Sequence, residues 1–160
     1  MITITKRATT IIVDADACPV KAEIIATAKR FGMEVLLVAS FDHRMPPAED
    51  GIVVKQVDRS DQSVDLYIAN KLQSGDVLVT QDFGLATIGL AKGAIVLSNR
   101  GQEYRDETIG FLLERRHELA KQRRGGKYGK GPRAFSEEDR NNFLQTLTKV
   151  LLRLQENVPL

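Results

Sequence analysis

The sequence predicts a three-layer α/β domain built on a mostly parallel sheet of five strands, and three observations carry that expectation. Short apolar runs alternate with stretches of helical periodicity along most of the chain, the pattern of a parallel sheet covered by helices. Runs such as Ile11-Ile12-Val13 and Val77-Leu78-Val79 are apolar at every position, which suits strands buried on both faces. The 160 residues are most simply one domain, long enough to bury a single core without disulfides or a structural metal.

Composition excludes more than it assigns. Twenty-three Lys plus Arg against 21 Asp plus Glu leave a net charge of +2, so total charge selects no partner. Cys18 is the single cysteine, which rules out an intrachain disulfide and points to a reducing compartment. No apolar run approaches the about 20 residues that span a bilayer. The first ten residues carry Lys6 and Arg7 but no leader-like apolar core. The expectation is a cytoplasmic protein with no membrane partner.

Taken in order, Ile11 to Val13 form the first strand, which breaks into Asp14, Asp16 and then Pro19. Proline suits the first turn of a helix, where its missing N–H costs nothing. Ile24, Ile25, Ala28 and Phe31 keep helical spacing over 20–31, and Lys29, Arg30 and Gly32 form a stop signal. A second strand over 34–39 is reached by a connection suited to a helical crossover, so the two strands should be parallel neighbours. Residues 41–51, with Met45-Pro46-Pro47, read as an irregular loop holding His43, and 52–57 as a third strand. Ser63 is placed to cap a helix over 64–73, and a fourth strand at 77–80 again runs into an acid, Asp82. A helix over 83–92 and a strand over 94–97 complete the alternation.

Beyond Ser98 the composition changes. Thr108 is expected to cap a long helix over 109–124. A glycine-rich basic loop over 125–134 follows, and Ser136 with Asp139 starts a final amphipathic helix over 136–156, a relative of the capping box. Loop and helix together read as an extension of the domain.

Two ionised side chains at the end of a buried strand repel each other unless a cation sits between them. A plainer reading remains open, in which Asp14 or Asp16 only caps the next helix. If the first strand is central, with the second and third on one side and the fourth and fifth on the other, the first and fourth meet where strand order reverses. Ligands bind beyond strand ends at that point. Asp14, Asp16 and Asp82 would then share a crevice, and Asp65, in the first turn of its helix, could lean toward it. Oxygen-only donors suit Mg²⁺ or Mn²⁺ rather than zinc.

Val13-Asp14-Ala15-Asp16-Ala17-Cys18-Pro19-Val20, Ser63-Val64-Asp65-Leu66-Tyr67-Ile68-Ala69, Val79-Thr80-Gln81-Asp82-Phe83-Gly84-Leu85-Ala86, Lys92-Gly93-Ala94 and Gly131-Pro132-Arg133-Ala134-Phe135 together resemble the uncharacterised bacterial YaiI/YqxD family. That resemblance implies kinship with PIN-like nucleases, hence a Rossmann-like, PIN-like single domain over 1–160. It also implies, by analogy, Mg²⁺- or Mn²⁺-dependent RNA cleavage, with the metal-binding acids falling on Asp14, Asp65 and Asp82. The chain departs from the PIN pattern after Asp82, where Phe83 and Gly84 stand instead of another acid, leaving Asp16 as the substitute.

The rival enzyme reading starts from the same stretch. Asp-x-Asp after an apolar strand also resembles haloacid-dehalogenase phosphatases, with Asp14 as nucleophile and Asp16 as general acid. Thr80 could serve as their strand-end hydroxyl, but Leu97-Ser98-Asn99-Arg100 lacks their late acidic pair. A third class is an RNA-binding protein with a degenerate site. Arg115, Arg116, Lys121, Arg123, Arg124, Lys127, Lys130 and Arg133, with Tyr128 among them, form the basic patch that could follow a phosphate backbone and stack a base. The plain alternative is a solvated helix face. Cys18, at a helix start without an indicated histidine base, is read as packing rather than a nucleophile.

Overall fold

β1 (Thr10–Asp14) lies at the centre of the sheet, with β2 (Glu34–Ser40) and β3 (Ile52–Val57) on one side. On the other side lie β4 (Val77–Val79), β5 (Ile95–Leu97) and β6 (Glu103–Tyr104). The computed structural model describes residues 9–40, 45–58, 63–126 and 133–156. The first five strands pair in parallel, in the order expected from the sequence. The sheet has six strands rather than five, because β6 pairs antiparallel to β5 through Val96 with Tyr104 and Leu97 with Glu103. Two residues are too short a run to show periodicity, so only pairing defines this strand.

Side-chain alternation along β1 divides the core into two layers. Ile11 and Val13 face α1 (Lys21–Phe31) and α5 (Glu137–Glu156), where Phe143, Leu147, Val150 and Leu151 meet them. Ile12 faces the other way, toward Ile68 of α2 (Ser63–Lys71), Leu85 of α3 (Phe83–Ala91) and Ile109 of α4 (Asp106–Arg124). Burial of each such side chain contributes about 1.5–3 kcal/mol. The final helix, read as an extension, thus supplies part of the main core.

Helix ends follow local chemistry, with shifts. α1 stops where expected, at Gly32, whose φ of 66° lets its N–H reach the Ala28 and Lys29 carbonyls. Its start corrects the expectation for Pro19, which precedes the N-cap Val20 instead of occupying the first turn. α4 opens earlier than expected, at Asp106, so Thr108 lies inside its first turn and its hydroxyl donates back to the Arg105 carbonyl at 3.2 Å. Asp106 and Glu107 favour this earlier start by facing the positive helix end. At α5, Asp139 N–H donates to Ser136 Oγ at 3.1 Å while Ser136 N–H donates to Asp139 Oδ2 at 3.0 Å, a reciprocal cap with aspartate.

The turn between β5 and β6 locks α5 to the sheet. Gly101 has φ of 84°, and a Cβ there would lie 2.8 Å from the Asn142 and Phe143 backbone. Asn142 donates to the Arg100 carbonyl at 2.7 Å and Thr146 to the Gly101 carbonyl at 2.9 Å. Among the described residues no helix is long and apolar enough to cross a membrane. His43 lies outside the described residues.

Candidate functional site

β1 and β4 are parallel neighbours in register at Val13 and Val79, so the residues that follow both strands emerge at the same edge of the sheet. Asp14 ends β1, and its Oδ2 accepts a hydrogen bond from the Thr80 hydroxyl at 3.0 Å. The same hydroxyl oxygen accepts the Asp82 N–H at 3.0 Å. Asp82 is the N-cap of α3, its Oδ1 accepting from Leu85 N–H at 2.9 Å. The capping role considered for Asp14 or Asp16 is absent at α1, whose N-cap Val20 is joined by no side-chain cap; Asp82 caps its own following helix, α3. Asp16 turns toward the end of β2, where its Oδ1 accepts the Ser40 N–H at 3.1 Å. Directly after Asp16, Ala17 takes a φ of 57°, a left-handed backbone uncommon outside glycine. Asp65 stands half-buried in the first turn of α2.

The four acids share one electrostatic environment. Burial pushes the Asp14 carboxyl up to about 6; the Thr80 bond opposes the rise, and the charges of Asp65, Asp16 and Asp82 add to it. Burial and then Asp82 push Asp65 upward. The Tyr104 phenol rises to about 12 through burial and the same Asp82 charge. Each acid nevertheless has its own hydrogen-bond anchor or helix turn, and among the described residues no three His, Cys, Asp or Glu side chains form a ready-made metal cage. An all-carboxylate set with excess negative charge fits a hydrated divalent cation, which needs only one or two protein carboxylates when water and phosphate oxygens complete the shell.

Cys18 is 4 % exposed, with Sγ 3.6 Å from Asn99 Oδ1, and burial pushes its thiol pKa up. This environment supports packing over nucleophilic use.

The basic helix α4 packs against α3, the helix that Asp82 caps. Arg115, Arg116, Lys121, Arg123 and Arg124 are exposed on it. Arg116 lies 5.9 Å from the centroid of the Phe83 ring, and Phe83 adjoins Asp82 in the chain. Phe83 also meets Tyr104 edge to face, 5.9 Å between centroids. Lys127, Tyr128 and Lys130 lie outside the described residues.

Arg133 is engaged elsewhere. It forks onto Asp139 at 2.7 and 3.0 Å, and Arg100 joins the same carboxylate at 2.6 Å. Burial opposes ionisation of Asp139, but the Ser136 N–H and the Arg133 and Arg100 guanidiniums hold its carboxyl below the usual range. Thr80, read from the sequence only as a possible strand-end hydroxyl of a phosphatase, here links Asp14 to Asp82, a role the residue pattern did not give. Its only signal was a hydroxyl two positions before the strand-end acid.

A family model described as uncharacterized BCR, YaiI/YqxD family, matches residues 12–153. A UPF0178 protein of Bacillus pumilus is 48% identical over 149 residues, 91% of this chain and 88% of the relative. One from Listeria monocytogenes is 50% identical over 143 residues, covering 88% of this chain and 94% of its own. Another, from Halalkalibacterium halodurans, is 46% identical over 141 residues, 88% and 89% of the two chains. No solved structure matches the chain at a significant level.

Proposed function

The chain belongs to the uncharacterised YaiI/YqxD family, and from the acids gathered at the ends of β1 and β4 we propose that it is a metal-dependent, ribonuclease-like phosphodiesterase acting on RNA. The observation that carries this reading is that β1 and β4 run in register and Thr80 bridges the acids at their ends, with burial and the charges of Asp65, Asp16 and Asp82 all raising the pKa of a half-buried Asp14. Such a concentration of negative charge is costly for an apo fold and is relieved by a cation. Asp14 and Asp82 would hold Mg²⁺ or Mn²⁺, which when bound supplies charge neutralisation at a phosphate and a more acidic water. Thr80 orients the Asp14 carboxylate by donating to one of its oxygens. Asp65 and Asp16 would serve as additional ligands or accept hydrogen bonds from water entering the crevice. The exposed arginines of α4 hold the phosphate chain on the adjoining face.

A second reading, an RNA-binding protein without turnover, is favoured by the separate anchoring of the carboxylates and the lack of a three-residue cage among the described residues. Calorimetry with Mn²⁺, alone and with a non-cleavable RNA analogue, together with labelled-RNA and phosphomonoester assays, separates these readings. The nuclease reading expects Asp14→Asn to lose metal binding and RNA cleavage while keeping the fold. RNA bound equally by wild type and mutant, with no heat from Mn²⁺ and no cleavage, supports the binding module. Phosphomonoester turnover with beryllium fluoride lodged on Asp14 would instead identify the phosphatase chemistry.

A further inference from the structure

Between α3 and α4, where Phe83 follows Asp82 in the chain, a cleft of about 230 Å³ is lined by Phe83, Arg115, Arg116, Leu119 and Arg123. Its lining divides sharply by chemistry. Leu119 is 42 % exposed in the middle of a charged helix, and Phe83 is half-buried below it. Arg115, Leu119 and Arg123 recur every fourth residue, so they share one ridge of α4. Arg116 reaches the Phe83 ring at 5.9 Å, placing a flat guanidinium against the aromatic wall. An apolar floor alone would suit many partners. Three guanidiniums around that floor select a partner that carries flat apolar groups and closely spaced anionic charges together.

We infer that the Phe83–Leu119 cleft seats an unstacked base of a single-stranded nucleic acid, with Arg115, Arg116 and Arg123 on the flanking phosphates. A duplex keeps its bases stacked away from such a cleft and offers it only phosphates, whereas single strands present base faces to aromatic and arginine surfaces. Phe83 directly follows Asp82, so a strand with a base in the cleft has its backbone beside the acidic crevice. The inference rests on the RNA-binding part of the proposed function and deepens it by naming the strandedness of the substrate. It does not depend on cleavage.

The test measures binding in EDTA, where metal-dependent cleavage is silent. The probes are a short labelled single-stranded RNA, its perfect duplex and the same strand made abasic. Leu119→Ser changes an exposed side chain, and Phe83→Leu retains an apolar contact for Tyr104, so the two variants perturb the cleft by independent routes. The wild type is expected to bind the single strand roughly tenfold more tightly than the duplex or abasic strand. Each variant should lose roughly fivefold on the single strand and stay within about twofold on the duplex. Replacing Arg115, Arg116 and Arg123 by Ala should weaken binding to all three probes and flatten the salt dependence.

Equal affinity for the three probes, unaltered single-strand binding in both cleft variants, or no RNA binding at all would each overturn the inference. Displacement of the strand by poly-glutamate at matched charge would assign the cleft to an acidic polypeptide. Self-association that Leu119→Ser abolishes would assign it to a second copy of this chain. Failure of the nuclease reading is distinguishable, since it appears only in the Mn²⁺ calorimetry and cleavage assays of Asp14→Asn.

Discussion

The Thr80 hydroxyl donates to Asp14 Oδ2 and accepts the Asp82 N–H, each across 3.0 Å, so one fully buried side chain joins the acid that ends β1 to the acid that opens α3. Thr80→Val keeps the shape and removes the hydroxyl. The Asp14 carboxyl should then titrate above its value of about 6, because the bond that opposes the burial penalty is lost. The orphaned Asp82 N–H should cost about 1–3 kcal/mol of stability. Carboxyl NMR titration and urea unfolding measure both effects, with Thr80→Ser restoring them; an unchanged Asp14 titration in Thr80→Val would contradict the linkage.

Asp14 also ties stability to pH. Its folded carboxyl titrates at about 6 against an ordinary 3.8, so between those values the folded protein holds a proton that the unfolded chain has released. Stability from this group is full below about pH 4 and declines as pH rises through about 6. Asp14→Asn removes the penalty and should be more stable than wild type at neutral pH by on the order of 2 kcal/mol. The difference should shrink as pH falls toward 4. Denaturant unfolding of both proteins across that window is the measurement, and a pH-independent difference would sink the expectation.

Gly101 should tolerate no side chain. With φ at 84° and a prospective Cβ 2.8 Å from the α5 backbone, Gly101→Ala combines left-handed strain of about 1–2 kcal/mol with a clash that must push α5 outward. Loss of several degrees in melting temperature is expected, with increased hydrogen exchange at Phe143 and Leu147. A melting temperature equal to wild type would mean that the turn and helix part without cost.

The exposed cations of α4 should make RNA binding salt-dependent. Replacing Lys121, Arg123 and Arg124 by Ala should lower affinity for single-stranded RNA at low salt. The slope of log affinity against log salt should fall by roughly 0.7 for each phosphate contact removed. Fluorescence anisotropy over a salt series measures this, and an unaltered slope would return these side chains to the role of a solvated helix face.

Much of the architecture was legible in the residue pattern because parallel strands leave uniform apolar runs and helices leave a longer period. The apolar runs and helical connections pointed to a parallel sheet, and the repeated pattern of strand, acid and helix suggested the order with β1 central and beside β4 that the sheet has. The positions of Asp14 and Asp82 at one sheet edge followed from that order. Only the tertiary structure decided where each side chain went at that edge. Asp16 meets Ser40 across 24 positions, and Thr80 meets Asp14 across 66. Arg133 looked like one more cation of a basic run, yet its guanidinium is committed to Asp139 along with Arg100 from 39 positions away. β6 has no periodicity of its own and exists through its partner β5. Periodicity is a property of neighbouring residues, so the chain alone determined which segments become strands and helices and which acids follow them. Hydrogen-bond partners at strand ends depend on the direction and approach of distant segments, which packing of the two core layers sets.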